Sequence, residues 1–325
     1  MYSKSFNKSD KTWSVLHTNL RGFSSKKKSL SEIVNILRPN VVTMNEVGLR
    51  KDKKVALGGY NCYTRNRKTN ESMGGVATAV INEEKMSTLK ILEGENKDEF
   101  IVSRHGQFQR PINVINCYGE QESRTEKSEI EEKWARLTKV LKDIENREEE
   151  AILIGDLNKM VGNNESGIKE NHSKVSFGGK LVLDLVSNGE YFLVNGSDKC
   201  TGGPFTREEP NNPSIKSCLD LVLVSKGLVQ YIEELKIDKE RKFTPHRVIK
   251  GKKLLYTDLF SLHFKLKGIP LKDPSIRKET SQVIWNTNKP GGWLKYKELT
   301  EDNDVLKSIL ENADKMTANE IKKCL

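Results

Sequence analysis

"AILIGDLN", residues 151–158, is a short apolar run that ends in a glycine, an acid and, two positions on, an amide. A run of this length rich in Ile and Leu and closed by turn residues reads as a buried strand, so Asp156 and Asn158 stand at its mouth. Taken alone, the Gly-Asp pair suits a simple turn as well as a reactive carboxylate. What surrounds it decides between them.

The same pattern recurs along the chain. "WSVLHTNL" (13–20) closes on Asn19, "VVTMNEV" (41–47) on Glu46 and "INVINCY" (112–118) on Tyr118. "LDLVLVS" (219–225) opens at Asp220, "LFSLHFKL" (259–266) follows Thr257 and Asp258, and "GGVATAVI" (74–81) is a further strand. Helices intervene. Ser29 and Ser31 lead into one that Pro39 stops; residues 126–150 carry Ile130, Trp134, Leu137, Leu141 and Ile144 at helical spacing; and 178–189 form a third that ends at Asn188-Gly189. Strands buried on both faces together with amphipathic helices predict sheets packed on one another and covered by helices, a layered α/β sandwich.

Composition sets the bounds. A chain of 325 residues that is 35% hydrophobic can bury a sizeable core. No apolar run approaches the ~20 residues of a membrane-spanning helix, and "MYSKSFNKSD" offers no secretory leader, so the expectation is a soluble, intracellular protein with no membrane partner. Five scattered cysteines without a Cys-x-x-Cys pair suggest reduced thiols rather than zinc or disulfides. The net charge of +10 is unevenly placed: residues 1–70 hold 15 Lys/Arg against 4 Asp/Glu, and residues 71–150 hold 12 against 18. Each basic cluster ("SSKKKS", "RKDKK", "RNRK") alone is a solvated surface. Concentrated near the strand mouths, they point to a polyanion such as DNA.

Carboxylates and amides at the ends of buried strands need compensation, since an unpaired buried charge is costly. A shared hard cation supplies it: Mg²⁺, or Mn²⁺ in its place, takes oxygen ligands and keeps several waters, so Glu46 with Asn19 suffices. Asp156 is then placed to activate a water, with Asn158 and Tyr118 stabilising charge on a phosphate.

The order Asn, Glu, Tyr, Gly-Asp-x-Asn, Ser-x-x-Asp and Thr-Asp over residues 12–266 resembles the endonuclease/exonuclease/phosphatase (deoxyribonuclease I-like) superfamily. Within it, "NLRG", "GDLN", "SCLDLVLVS" and "NKPGGW" are most similar to the endonuclease domains of non-LTR (LINE-type) retrotransposons. The resemblance implies a four-layer α/β sandwich of two mainly antiparallel sheets flanked by helices. It implies Asn19 and Glu46 at the metal, and Tyr118 and Asn158 on the phosphate. Asp156 would activate the water, Asp220 would support the acidic cluster, Asp258 would be the catalytic acid of the last motif that buttresses its imidazole, and Thr206 and Arg21 would touch substrate. It divides the chain into a tail (1–11), the catalytic domain (12–266) and a linker with a helical appendage (267–325), read as truncated before a reverse transcriptase in a longer polyprotein. It also implies action in the nucleus.

One position departs. The superfamily's last motif is Ser/Thr-Asp-His, and here Leu259 follows Thr257-Asp258. His263, four residues along a strand at ~3.3 Å each, lies about 13 Å from position 259, too far to replace it. His246 lies in a loop, and His17, His105 and His172 have no motif context and read as structural. Three functions therefore stand: a Mg²⁺-dependent DNA-nicking endonuclease, an impaired relic that still binds nucleic acid, and a phosphatase or phosphodiesterase acting on a small substrate.

Overall fold

The computed structural model describes residues 12–50, 53–66, 74–84, 87–90, 100–162, 174–202, 205–209, 212–238, 247–249, 253–255 and 260–272. The first strand, β1 (Trp13–Asn19), leads through helix α1 (Phe23–Leu37) to β2 (Val41–Asn45), β3 (Tyr60–Arg65), β4 (Val76–Ile81), β5 (Ser87–Lys90), β6 (Phe100–His105) and β7 (Ile112–Cys117). Helix α2 (Lys127–Asn146), β8 (Glu150–Asp156) and α3 (Phe177–Ser187) follow, then β9 (Tyr191–Leu193), β10 (Cys200–Thr201), β11 (Arg207–Glu209), β12 (Asn212–Ser217) and β13 (Asp220–Ser225). Last come β14 (Ile232–Ile237), the short β15 (Arg247–Ile249) and β16 (Lys253–Leu255), and β17 (Phe260–Leu266).

Two large sheets result, one of seven strands in the order β10-β14-β17-β1-β2-β4-β3 and one of six in the order β5-β6-β7-β8-β13-β9. Parallel pairing is confined to β1 with β2, β7 with β8 and β10 with β14; the remaining neighbours run antiparallel.

Period-two alternation sorts the side chains into layers. Val15, Val41, Val80, Leu262 and Phe264 of the first sheet meet Ile112, Val114, Ile152, Ile154, Val222 and Val224 of the second in one apolar cluster. The intervening residues face the other way. Leu16, Val42, Met44, Ala77 and Ala79 pack under Phe23, Leu30, Ile33 and Val34 of α1. Ile115, Leu153, Leu221 and Leu223 pack under Leu137, Leu141 and Ile144 of α2 and Val182 and Leu185 of α3. Each such Val, Leu, Ile, Phe or Met side chain contributes roughly 1.5–3 kcal/mol by burial. Helix, sheet, sheet, helix is the four-layer sandwich that the sequence predicts.

Two elements differ from expectation. Helix α1 begins at Phe23 rather than near Ser29, because Gly22 (φ 110°) turns the chain and the N–H groups of Gly22 and Phe23 are held by the carbonyls of Glu46 and Val47. "SSKKKS" is therefore helical. Residues 267–272 also pair with the sandwich: Gln109 N–H donates to Pro270 O at 2.9 Å and Lys272 N–H to Gln107 O at 2.9 Å. Residues 273–325, which hold most of the expected appendage, lie outside the described residues. Among the described residues, no helix is long and apolar enough to cross a membrane.

Candidate active site

Toward the C-terminal ends of β1, β2, β7 and β8, the inter-sheet layer changes from apolar to polar strand by strand. On β1 the inward series runs Trp13, Val15, His17, Asn19; on β2 it runs Val41, Thr43, Asn45; on β8 it runs Ile152, Ile154, Asp156. Strand β13 runs the other way, so its first residue, Asp220, stands opposite Asp156. Parallel pairing of β1 with β2 and of β7 with β8 brings the expected residues to one end of the sandwich.

Their hydrogen bonds join the two sheets. The Asn19 side-chain Nδ2 donates to Glu46 Oε1 at 3.0 Å and to Asp156 Oδ2 at 2.7 Å, while Tyr118 Oη donates to the same Glu46 oxygen at 3.2 Å. Asp156 Oδ1 accepts from the Asn158 N–H at 3.1 Å, and Asn158 Nδ2 donates to Gly119 O at 2.8 Å. Beneath them Asn116, fully buried, accepts from Asn45 Nδ2 at 2.9 Å and donates to Ala77 O at 2.8 Å; Asn45 Oδ1 in turn accepts the Asp156 N–H at 2.8 Å. A chain of amides thus fixes the backbone from which the Asp156 carboxylate projects.

Burial pushes the Asp156 carboxyl well above the usual carboxylate range, and the charges of Asp220 and Glu46 push it further; the Asn158 N–H and the Asn19 amide oppose the shift. A carboxylate with raised proton affinity is suited to taking a proton near neutral pH. Backbone geometry is unusual here too. Arg21, Glu46 and Asn158 have φ of 47°, 49° and 52°, in the left-handed region that residues with a Cβ seldom occupy.

The donor set suits a hard cation. Because both neighbours of the Asn19 amide are carboxylates, its NH₂ must face them; its Oδ1 is then buried with no hydrogen-bond partner. Beside it, Glu46, Asp156 and Asp220 add three carboxyl groups, all buried. An orphaned amide oxygen next to crowded carboxyls is what a divalent ion with oxygen ligands would satisfy. Among the described residues no three His, Cys, Asp or Glu side chains enclose an ion by themselves, so waters and substrate oxygens would complete its shell.

Of the expected site residues, Asn19, Glu46, Tyr118, Asp156, Asn158 and Asp220 converge. Thr206 joins them from behind: its Oγ1 accepts from the N–H groups of Leu219 (2.9 Å) and Asp220 (3.1 Å). Arg21 is exposed beside Asn19. Thr257, Asp258, Leu259, His172 and His246 lie outside the described residues, although β17 resumes at Phe260, paired with Asn19.

Sequence reasoning missed Asn45, Asn116, Thr43 and His17. Strand periodicity carries the signal: Thr43, Asn116 and His17 each sit two residues from an inward apolar residue on the same strand face, and Asn45 follows Thr43 on that face. His17 is fully buried, with Nδ1 3.0 Å from Thr43 Oγ1 and Nε2 3.2 Å from Asp220 Oδ1.

A sandwich of this layering, with an acid–amide cluster where the central strands end, defines a class of phosphoester hydrolase. The chain belongs to the Endonuclease/Exonuclease/phosphatase family, whose profile matches residues 12–234. Members are generally hydrolytic nucleases or phosphatases, and the nucleases typically use divalent metals. No curated protein sequence matches the chain. Similar solved structures include the catalytic domain of Xenopus laevis APE2 (14% identity, TM-score 0.61, covering 80% of this chain and 94% of that one). A 3′ phosphatase, NExo, from Neisseria bound to a product DNA hairpin shares 14% identity at TM-score 0.58, covering 78% and 99%. The endonuclease domain of TRAS1, a telomere-specific non-LTR retrotransposon, shares 14% at TM-score 0.54, covering 79% and 99%.

Proposed function

We propose that the protein is a Mg²⁺-dependent DNA endonuclease that nicks one strand, acting as the endonuclease domain (residues 12–266) of a non-LTR retrotransposon polyprotein. The observation that carries this reading is the orphaned Asn19 Oδ1 set among the carboxyls of Glu46, Asp156 and Asp220. Glu46 and Asn19 would hold Mg²⁺, or Mn²⁺, which when bound supplies charge neutralisation and polarisation of a phosphoryl oxygen. Asp156 takes the proton of the attacking water. Asn158, tied to Gly119 O, and Tyr118, tied to Glu46, orient the scissile phosphate. Asp220 and Asp258 complete the acidic support, while Thr206 fixes the Asp220 backbone.

DNA as the substrate is supported by the basic balance of residues 1–70. Arg21 and the exposed Lys27, Lys28, Lys53 and Lys54 lie on the segments that follow β1 and β2, whose ends carry Asn19 and Glu46. The DNA hairpin bound by the Neisseria neighbour and the origin of the TRAS1 domain agree with that choice. Action on chromosomal DNA would be nuclear, and within such a polyprotein the nick would serve a reverse transcriptase.

Leu259 supports a second reading, a relic that binds DNA without cutting it. Supercoiled plasmid incubated with the protein in Mg²⁺, with and without EDTA, beside Asp156→Ala and Leu259→His, separates the two. Nicking abolished by EDTA and by Asp156→Ala supports the enzyme. A nick seen only after Leu259→His supports the relic, and turnover of a small phosphate ester without any nick overturns the DNA reading.

A further inference from the structure

The imidazole of His17 reaches Asp220 from a different sheet. Strand β1 lies in the seven-stranded sheet and β13 in the six-stranded one, so the His17–Asp220 contact at 3.2 Å crosses the interior just below the Asn19–Asp156 contact at 2.7 Å. His17 and Asn19 are two apart on β1 and face the same way; Asp156 and Asp220 are register partners on β8 and β13. Both acids of the second sheet are therefore each held by one side chain of β1.

We infer that His17 is a positioning residue: its ring, oriented by Thr43, holds the Asp220 carboxylate in place beside Asp156, an imidazole–carboxylate pair supplied by β1. The inference rests on the nuclease reading above. The donor pattern follows from the neighbours. Asp220 Oδ1 can only accept, so Nε2 carries the hydrogen; in the neutral ring Nδ1 is an acceptor, for which the Thr43 hydroxyl is the donor. That hydroxyl has a competing acceptor, Leu16 O, at 3.5 Å, and the ring nitrogen at 3.0 Å is the better one. The carboxylate thereby sets the tautomer, and Thr43, whose hydroxyl can donate or accept, holds the other ring nitrogen.

Asp220 needs such a tether. Its backbone is fixed by Thr206 and by Asn195, whose Nδ2 donates to Asp220 O at 3.1 Å. On the carboxylate itself, His17 is the hydrogen-bond partner seen among the described residues. With both ring nitrogens engaged and the ring fully buried, His17 does not touch substrate and acts through Asp220.

The test pairs a shape-conserving loss with a donor-conserving replacement. His17→Leu fills the space without an N–H, and His17→Gln puts an amide N–H near the position of Nε2. In plasmid nicking, His17→Leu is expected to lower kcat on the order of 10–100-fold with KM within about twofold, as losses of an orienting partner do. His17→Gln should return kcat to within several-fold of the parent. Unchanged kcat in His17→Leu, or equal loss in a folded His17→Gln, overturns the inference. Should His17→Leu not fold, Thr43→Val decides, since it frees Nδ1 and loosens the ring: a changed His17 Nε2 ¹⁵N shift with a fall in kcat supports the inference, and parent-like kcat overturns it. A parent protein that nicks no DNA overturns the nuclease reading itself, and this inference with it.

Discussion

Replacing Gly119 with alanine tests whether the site depends on how closely two strand ends approach. Gly119 follows Tyr118 at the exit of β7, and its N–H donates to Asp156 O at 2.8 Å. A Cβ there would sit 2.9 Å from Leu157 Cα and closer still to the Leu157 carbonyl carbon and oxygen. Carbon atoms in contact stand ~3.5–4.0 Å apart, so the two segments would have to part by ~1 Å. Overpacking of this kind costs about 1–3 kcal/mol, which in a domain of this size lowers Tm by roughly 2–12 °C. Since Asn158 is bonded to Gly119 O and follows Leu157 directly, the same displacement moves the phosphate-orienting amide. An error of ~1 Å at reacting groups lowers the rate on the order of 100-fold. Gly58→Ala is the control, because a Cβ there meets nothing within 4 Å. Thermal unfolding followed by circular dichroism, and plasmid nicking, should separate the two variants in both readouts. If Gly119→Ala unfolds and nicks like Gly58→Ala, the close approach has no functional weight and the argument fails.

Two further outcomes follow from buried polar groups. Burial, with Lys265 and Lys236 beside it, depresses the His263 pKa from 6.5 to about 4, against the opposing charge of Glu234. A depressed folded pKa means that the unfolded chain binds the extra proton first, so stability present above pH 6.5 is lost as pH falls toward 4. Between pH 7 and 5 that loss is about 2 kcal/mol, or roughly 4–8 °C in Tm; His263→Gln should remove it, and a parent-like pH slope in that variant would exclude His263 as its source. Asn116→Leu leaves Asn45 Nδ2 without its partner in the interior, at about 1–3 kcal/mol. It should also reduce activity by releasing Asn45, which holds the Asp156 N–H; urea unfolding showing no loss of stability would contradict this accounting.

The layered architecture was legible in the sequence because its strands are short, apolar and punctuated by polar closures, and because α2 carries its buried residues at helical spacing. The acids and amides at strand ends could be found for the same reason. Asn45, Asn116 and His17 could not be found from motifs, since each looks like a polar interruption within a strand. Their role depends on which strand of the opposite sheet faces them, and that follows from non-local pairing. Asn45 meets Asn116 only because β2 and β7, 71 residues apart at this contact, lie face to face. The start of α1 was misplaced for a similar reason: Gly22 and Phe23 are held by carbonyls beyond β2, which local capping rules cannot see.

The left-handed backbone at Arg21, Glu46 and Asn158 has a consequence for engineering. Glycine would occupy those three positions with little strain, whereas a residue with a Cβ costs about 1–2 kcal/mol, less for asparagine. A selection for thermal tolerance alone should therefore drift toward glycine at 21 and 46, and more weakly at 158, and would discard the functional groups as it did so. Libraries built to harden this scaffold need those three codons held fixed, since heat resistance and chemistry pull in opposite directions there.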